Sequence, residues 1–172
     1  MAKTDPFFIR QRVVSNGLTF AEETIDCGAF VDALGRTILQ LRNISVQYMD
    51  EAAGTPISPT AANFFQLRWQ LTTQSQTQLL HADDRSLISS GNLYMTNDTG
   101  TQAHGATFIS ETVDLNPEQW DEGYLVGVEN LYLGVELSGT PITGQIVTSL
   151  VIEAISKTMT KEAAMALALS QK

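Results

Sequence analysis

Along most of the chain, apolar and polar residues alternate with period two, the mark of a β-strand with one buried face. Phe7, Ile9 and Val13 share one parity, while Arg10 and Arg12 hold the other. Ile25, Cys27, Ala29 and Val31 alternate against Thr24, Asp26 and Gly28. Between Ile38 and Tyr48 the phase changes: Leu39 and Leu41 keep one parity, and Ile44, Val46 and Tyr48 keep the other. A β-bulge near Arg42-Asn43 restores a single buried face. Phe65, Leu67, Trp69 and Leu71 alternate cleanly, as do Leu131, Leu133, Val135 and Leu137. A weaker strand runs from Arg85 to Thr96 with an interruption at Ser89-Ser90-Gly91, and Ile109, Val113 and Leu115 mark another. Gln145–Ile155 is apolar on both parities, so it is expected to be covered on both faces.

About eight strands result, without alternating helices, and turn residues such as Gly54, Pro56 and Pro59 punctuate them. The expected fold is mainly β: an eight-stranded β-sandwich, best matched by the double Greek key of a jelly roll, with a short C-terminal α-helix. Residues 1–157 form a single sandwich domain in this reading. Residues 158–172 form a helix that packs on the sandwich or on a neighbouring subunit. Asn116-Pro117-Glu118-Gln119 reads as one capped helical turn. Thr160 caps the terminal helix, in which Ala163 through Leu169 is apolar without a break. So short a helix needs packing to persist in water, and it is too short to cross a bilayer.

Composition sharpens this picture at two points. Of 172 residues, 19 are acidic and 10 basic, and no Lys or Arg lies between Arg85 and Lys157. That half of the chain lacks the cations a phosphate backbone requires, which argues against direct nucleic-acid binding. Cys27 is the single cysteine, so neither an internal disulfide nor a Cys-rich zinc site can form. No secretory signal is visible at the N-terminus, no run approaches a membrane span, and synthesis in the cytoplasm of the producing cell is the expectation.

The residues that carry chemistry are sparse. His81 has Asp83 and Asp84 nearby, but no His-x-x-x-His spacing supports a metal; His104 stands in a second loop. Cys27 falls on an inward parity, where a small buried hydrophobe is expected rather than a nucleophile. Nucleophile-elbow, phosphate-loop and dinucleotide fingerprints are missing. Asp114, Asn116, Glu118, Asp121 and Glu122 supply hard oxygen atoms without the spacing of an EF-hand. The acids around Trp120 also suit a carbohydrate-binding or glycoside-hydrolysing jelly roll, kept as the alternative function. Otherwise no catalytic residue, metal, cofactor or small-molecule substrate is expected. The expected contact residues for other subunits are Trp120 and Tyr124 beside the acidic turn, and Met165, Leu167 and Leu169 on the terminal helix.

The runs Phe65-Gln-Leu-Arg-Trp-Gln-Leu-Thr-Thr73 and Val128-Glu-Asn-Leu-Tyr-Leu-Gly-Val-Glu-Leu137, with a Thr- and Gln-rich, Lys-poor composition, carry a resemblance. Over roughly residues 7–156 the chain resembles the small single-jelly-roll major capsid proteins of tailless, membrane-containing icosahedral DNA viruses. The resemblance implies a structural virion protein that assembles with copies of itself and other capsid proteins, near a membrane surface. A phage tail, fibre or head-decoration subunit would share the same chemistry. Many capsid proteins carry a basic arm for the genome; here the N-terminus offers only Lys3, Arg10 and Arg12. A shell whose enclosed membrane holds the DNA has no need of such an arm.

Overall fold

The alternating runs become nine strands in the computed structural model, which describes residues 5–32, 36–55, 57, 64–96, 108–139 and 145–171. These are β1 (Phe7–Val14), β2 (Ala21–Asp26), β3 (Thr37–Asp50), β4 (Phe64–Thr72), β5 (Leu87–Thr96), β6 (Phe108–Leu115), β7 (Tyr124–Val126), β8 (Asn130–Gly139) and β9 (Ile146–Thr158). A 3-10 turn, Pro117–Gln119, precedes β7, and helix α1 (Lys161–Ser170) follows β9. The expected count of eight is therefore corrected to nine. The added strand is β7, whose three residues are too few to show a period.

One antiparallel sheet has the order β1-β9-β3-β7, and the other β2-β8-β4-β5-β6. The pairing is nested. β1 takes β9, β2 takes β8, β3 takes β7 and β4 takes β5, as in one long hairpin folded over on itself. This is the jelly roll, with β6 added at the edge of the second sheet. The outermost nested pair runs from Phe7 opposite Ala154 to Val14 opposite Val147.

Inward-facing rows of both sheets fill the space between them. Leu39, Leu41 and Ile44 of β3 meet Trp69 and Leu71 of β4, with Leu131, Leu133 and Val135 of β8 and Leu150, Ile152 and Ala154 of β9. A smaller cluster of Phe65, Leu67, Leu93, Met95, Leu137 and Ile146 continues the core. The register of β3 on β9 shifts between Leu41 and Asn43, so the bulge expected near Arg42-Asn43 is present. It lets Leu39 and Ile44 share one core despite their opposite parities.

Two local readings change. The strand expected at 24–31 instead occupies Ala21–Asp26 and then turns. The Asp26 carboxylate accepts from the Gly28 N–H at 2.8 Å, and the Cys27 carbonyl accepts from Phe30 and Val31. That Asx-turn ends the strand, and the later alternation belongs to a loop packed on the core. The interruption at Ser89-Ser90-Gly91 is no break: β5 runs through it with a register shift between Ser90 and Gly91. A Cβ at position 91 would lie 2.8 Å from Trp69 Nε1, so the glycine makes room for the indole. β9 keeps one buried row, while Val147 and Val151 on its outer row are half-buried and Ile155 is buried.

Cys27 has no exposed surface, and burial, aided by the Asp26 carboxylate, raises its thiol from 9.0 to about 11. Burial and then the Glu111 carboxylate push the Tyr48 hydroxyl up as well. The unfolded chain releases these protons at lower pH than the folded chain does. Folding stability therefore falls as pH rises from 9 towards 11. A declining urea midpoint across that window is the expected result. In parallel, a thiol reagent at mildly alkaline pH should label Cys27 only in denaturant; rapid labelling of the folded protein would contradict its buried placement.

Candidate functional site

The expected contact residues occupy two segments far apart in sequence, the turn before β7 and helix α1. In the turn, the Asn116 side chain accepts from the Glu118 N–H, Pro117 sits at the first helical position, and Trp120 N–H closes onto the Pro117 carbonyl. Gly123 then takes φ +63°, and any Cβ there would collide with the Leu41 carbonyl oxygen. A glycine is required because the turn presses directly on β3. This places Trp120 41% exposed at the surface, its ring 6.3 Å from that of Tyr124. Tyr124 is half-buried, and burial raises its hydroxyl pKa.

The Thr160 hydroxyl caps α1 by accepting from Ala163 N–H at 3.3 Å. At ~100° per residue, Ala164, Ala168 and Gln171 fall on one side of the helix, and all three are buried. The helix packs on β7, and its fully buried residues are alanines, with Leu167 half-buried beside them. Gly127 permits the approach, since a Cβ there would lie 3.0 Å from the Ala168 nitrogen. Gln171 locks the end in place. Its Oε1 accepts from Gly127 N–H at 2.8 Å, and its Nε2 donates to the Leu125 carbonyl at 2.6 Å. Its main-chain carbonyl accepts from Thr73 Oγ1 at 2.9 Å and from Gln74 Nε2 at 3.2 Å. Sequence reasoning missed this anchor because a lone terminal glutamine carries no pattern, and its partners lie in three distant strands and loops.

The five residues therefore divide. Trp120, Tyr124 and Leu167 line one open groove of about 600 Å³ with Arg85, Leu125 and Ser170. Met165 and Leu169 stand one turn apart on the opposite flank of the helix, 42% and 68% exposed.

Trp120 also borders a second hollow of about 600 Å³ over the outer face of β3 and β9. Gln40, Asn43, Glu153 and Ile155 contribute to it from the strands, and Glu118, Asp121 and Glu122 from the turn. Glu122 is engaged there: its carboxylate pairs with Lys157 Nζ at 3.0 Å, and its carbonyl accepts from Gln40 Nε2. The Asn116 amide is spent on the cap, and Asp114 belongs to the exposed edge of β6. Among the described residues, no group of three or more His, Cys, Asp or Glu is arranged to hold a metal. His81 lies exposed in a loop, and the Asp84 carboxylate accepts from the Ser86 hydroxyl and N–H, which hold its pKa low. His104 lies outside the described residues. No described helix is long and apolar enough to cross a membrane.

No family model matches the sequence, and no curated protein matches it. Among solved structures, the chain is similar to VP1 of Trichodysplasia spinulosa-associated polyomavirus, in complex with sialylated precision glycooligomers. The identity is 8% and the TM-score 0.37, over 90% of this chain and 95% of that one. It is also similar to a turnip yellow mosaic virus structure, at 15% identity and a TM-score of 0.32, over 92% of this chain and 84% of that one.

Replacing Gln171 by Ala removes the side-chain hydrogen bonds that hold α1 to the segment around β7. It should cost about 1–3 kcal/mol in local stability and raise amide exchange across the helix while leaving the strands protected. Unchanged exchange in α1 would show that the alanine face alone holds the helix.

Proposed function

We propose that the chain is a structural subunit of a virion shell, working by contact with copies of itself and with a partner capsid protein. The observation that carries this reading is the terminal helix. It is fixed by its small and polar residues, and it turns Met165 and Leu169 outward on a rigid support. A lone domain gains nothing from that orientation, whereas a subunit contact buries both side chains. Trp120 and Tyr124 offer a second contact of the aromatic kind that anchors interfaces. The location that follows is the virion, after synthesis in the host cytoplasm, with the shell close to a membrane surface and without direct contact to nucleic acid.

In a Met165→Ser, Leu169→Ser double variant, thermal stability should stay within about 0.5 kcal/mol of the parent, because both side chains are exposed. Association, read by sedimentation velocity or by electron microscopy of assembled particles, should weaken by about tenfold or more. Wild-type protein that stays monomeric at every concentration, alone and with the other proteins of its particle, would remove the shell reading.

A second reading rests on the hollow beside Trp120, where an exposed indole meets carboxylates and amides in the manner of a carbohydrate-binding or glycoside-hydrolysing jelly roll. It predicts glycan-array binding that Trp120→Ala abolishes; an array without signal eliminates it.

A further inference from the structure

Both sheets end on the same side of the molecule. β1 is an edge of one sheet and β2 an edge of the other, and the two strands lie against each other across the sandwich. Among the described residues, each pairs with one neighbour, β1 with β9 and β2 with β8. The exposed charges along the two edge strands differ in sign. Arg10 and Arg12 are exposed along β1; Glu23 and Asp26 are exposed along β2. Apolar surface accompanies the charges. Phe8 is 56% exposed with the Arg10 guanidinium 5.7 Å from its ring centre, and Leu18, in the turn joining the strands, is 63% exposed.

We infer that the chain pairs with a second copy of itself through this wall, β1 of each copy lying along β2 of the other about a two-fold axis parallel to the strands. This rests on the shell reading and gives it a specific contact surface.

A two-fold contact places the same patch of both subunits face to face, so the patch has to be self-complementary. Two axes in the plane of the wall keep the strands of the two copies aligned. An axis crossing from sheet to sheet sets β1 against β1 and brings Arg10 and Arg12 against their own copies. An axis along the strands exchanges the sheets and sets β1 of each copy, with Arg10 and Arg12, beside β2 of the other, with Glu23 and Asp26, twice per dimer. Like charges in apposition oppose association, so the charge pattern selects the second axis. Open strand edges add main-chain donors and acceptors to the same contact.

Charges on an edge strand also serve as guards against stray pairing, and charge reversal separates the two roles. A glutamate guards an edge as well as an arginine does, but it inverts a contact. The test uses two variants of the full chain, Arg10→Glu with Arg12→Glu, and Glu23→Arg with Thr24→Arg. Asp26 is left alone because its carboxylate caps the turn at Gly28. Molecular mass is read by light scattering at low and molar salt, and melting curves confirm that each variant is folded.

The wild type should form dimers that weaken as salt is raised. Each variant alone should lose dimer affinity by about tenfold or more. Mixing the two folded variants should restore dimers containing one of each. Variants that dimerise like the wild type, or a mixture that fails to recover, overturn the inference while leaving the shell reading in place. Should either variant not fold, Arg12→Glu alone against Glu23→Arg alone gives the same contrast at smaller amplitude. Wild-type protein that remains monomeric in solution overturns this contact outright; assembly with the other particle proteins decides the shell reading separately.

Discussion

The ladder between β3 and β9 runs from Thr37 opposite Thr158 to Asp50 opposite Ile146, and the rest of the molecule is built out from it. Its inner row supplies much of the core, and its two free sides receive β1 and β7. A ladder of this length survives only if one face stays apolar throughout, and the chain breaks that rule in mid-strand. The bulge after Leu41 removes the conflict by shifting the phase one residue, where a straight strand would turn either Leu39 and Leu41 or Ile44 and Val46 into solvent. The same stretch of β3 receives β7 and the pressed turn at Gly123, so the placement of Trp120 depends on where the phase shift falls.

Long strands with one dry face were legible because burial imposes period two on their residues, as in Phe65–Leu71 and Leu131–Leu137. The bulge was legible for the same reason, since a phase error in an otherwise regular run has few remedies. β7 was not, because three residues cannot display a period. β2 was misplaced because an edge strand carries Glu22, Glu23 and Thr24, while the loop after it needs buried Cys27 and Val31 and so imitates a strand.

The candidate site shows the same division. Composition singled out the terminal helix, and local spacing found its cap and the capped turn before β7. Which side of the helix faces the sandwich was invisible, because an unbroken apolar run has no preferred face. The choice was made elsewhere, by the bare backbone of Gly127 and by hydrogen bonds between Gln171 and Gly127, 44 positions away, and Thr73, 98 positions away. Small residues won the interior because only they allow the helix to approach the strand so closely. Met165 and Leu169 were left outside, on the side where their candidacy as contact residues requires them, while Leu167 is half-buried.

The nested pairing sets an order in time. β1 finds no lasting partner until β9 has been made, since Phe7 is matched with Ala154 at nearly the opposite end of the chain. Contacts of such high sequence separation fold slowly and do not form in fragments. A nascent or truncated chain therefore lacks a finished first sheet, and with it the side of the molecule where β1 and β2 lie together. The fold acts as its own inspection step: only a chain synthesised through β9 acquires the side of the molecule that β1 and β2 share.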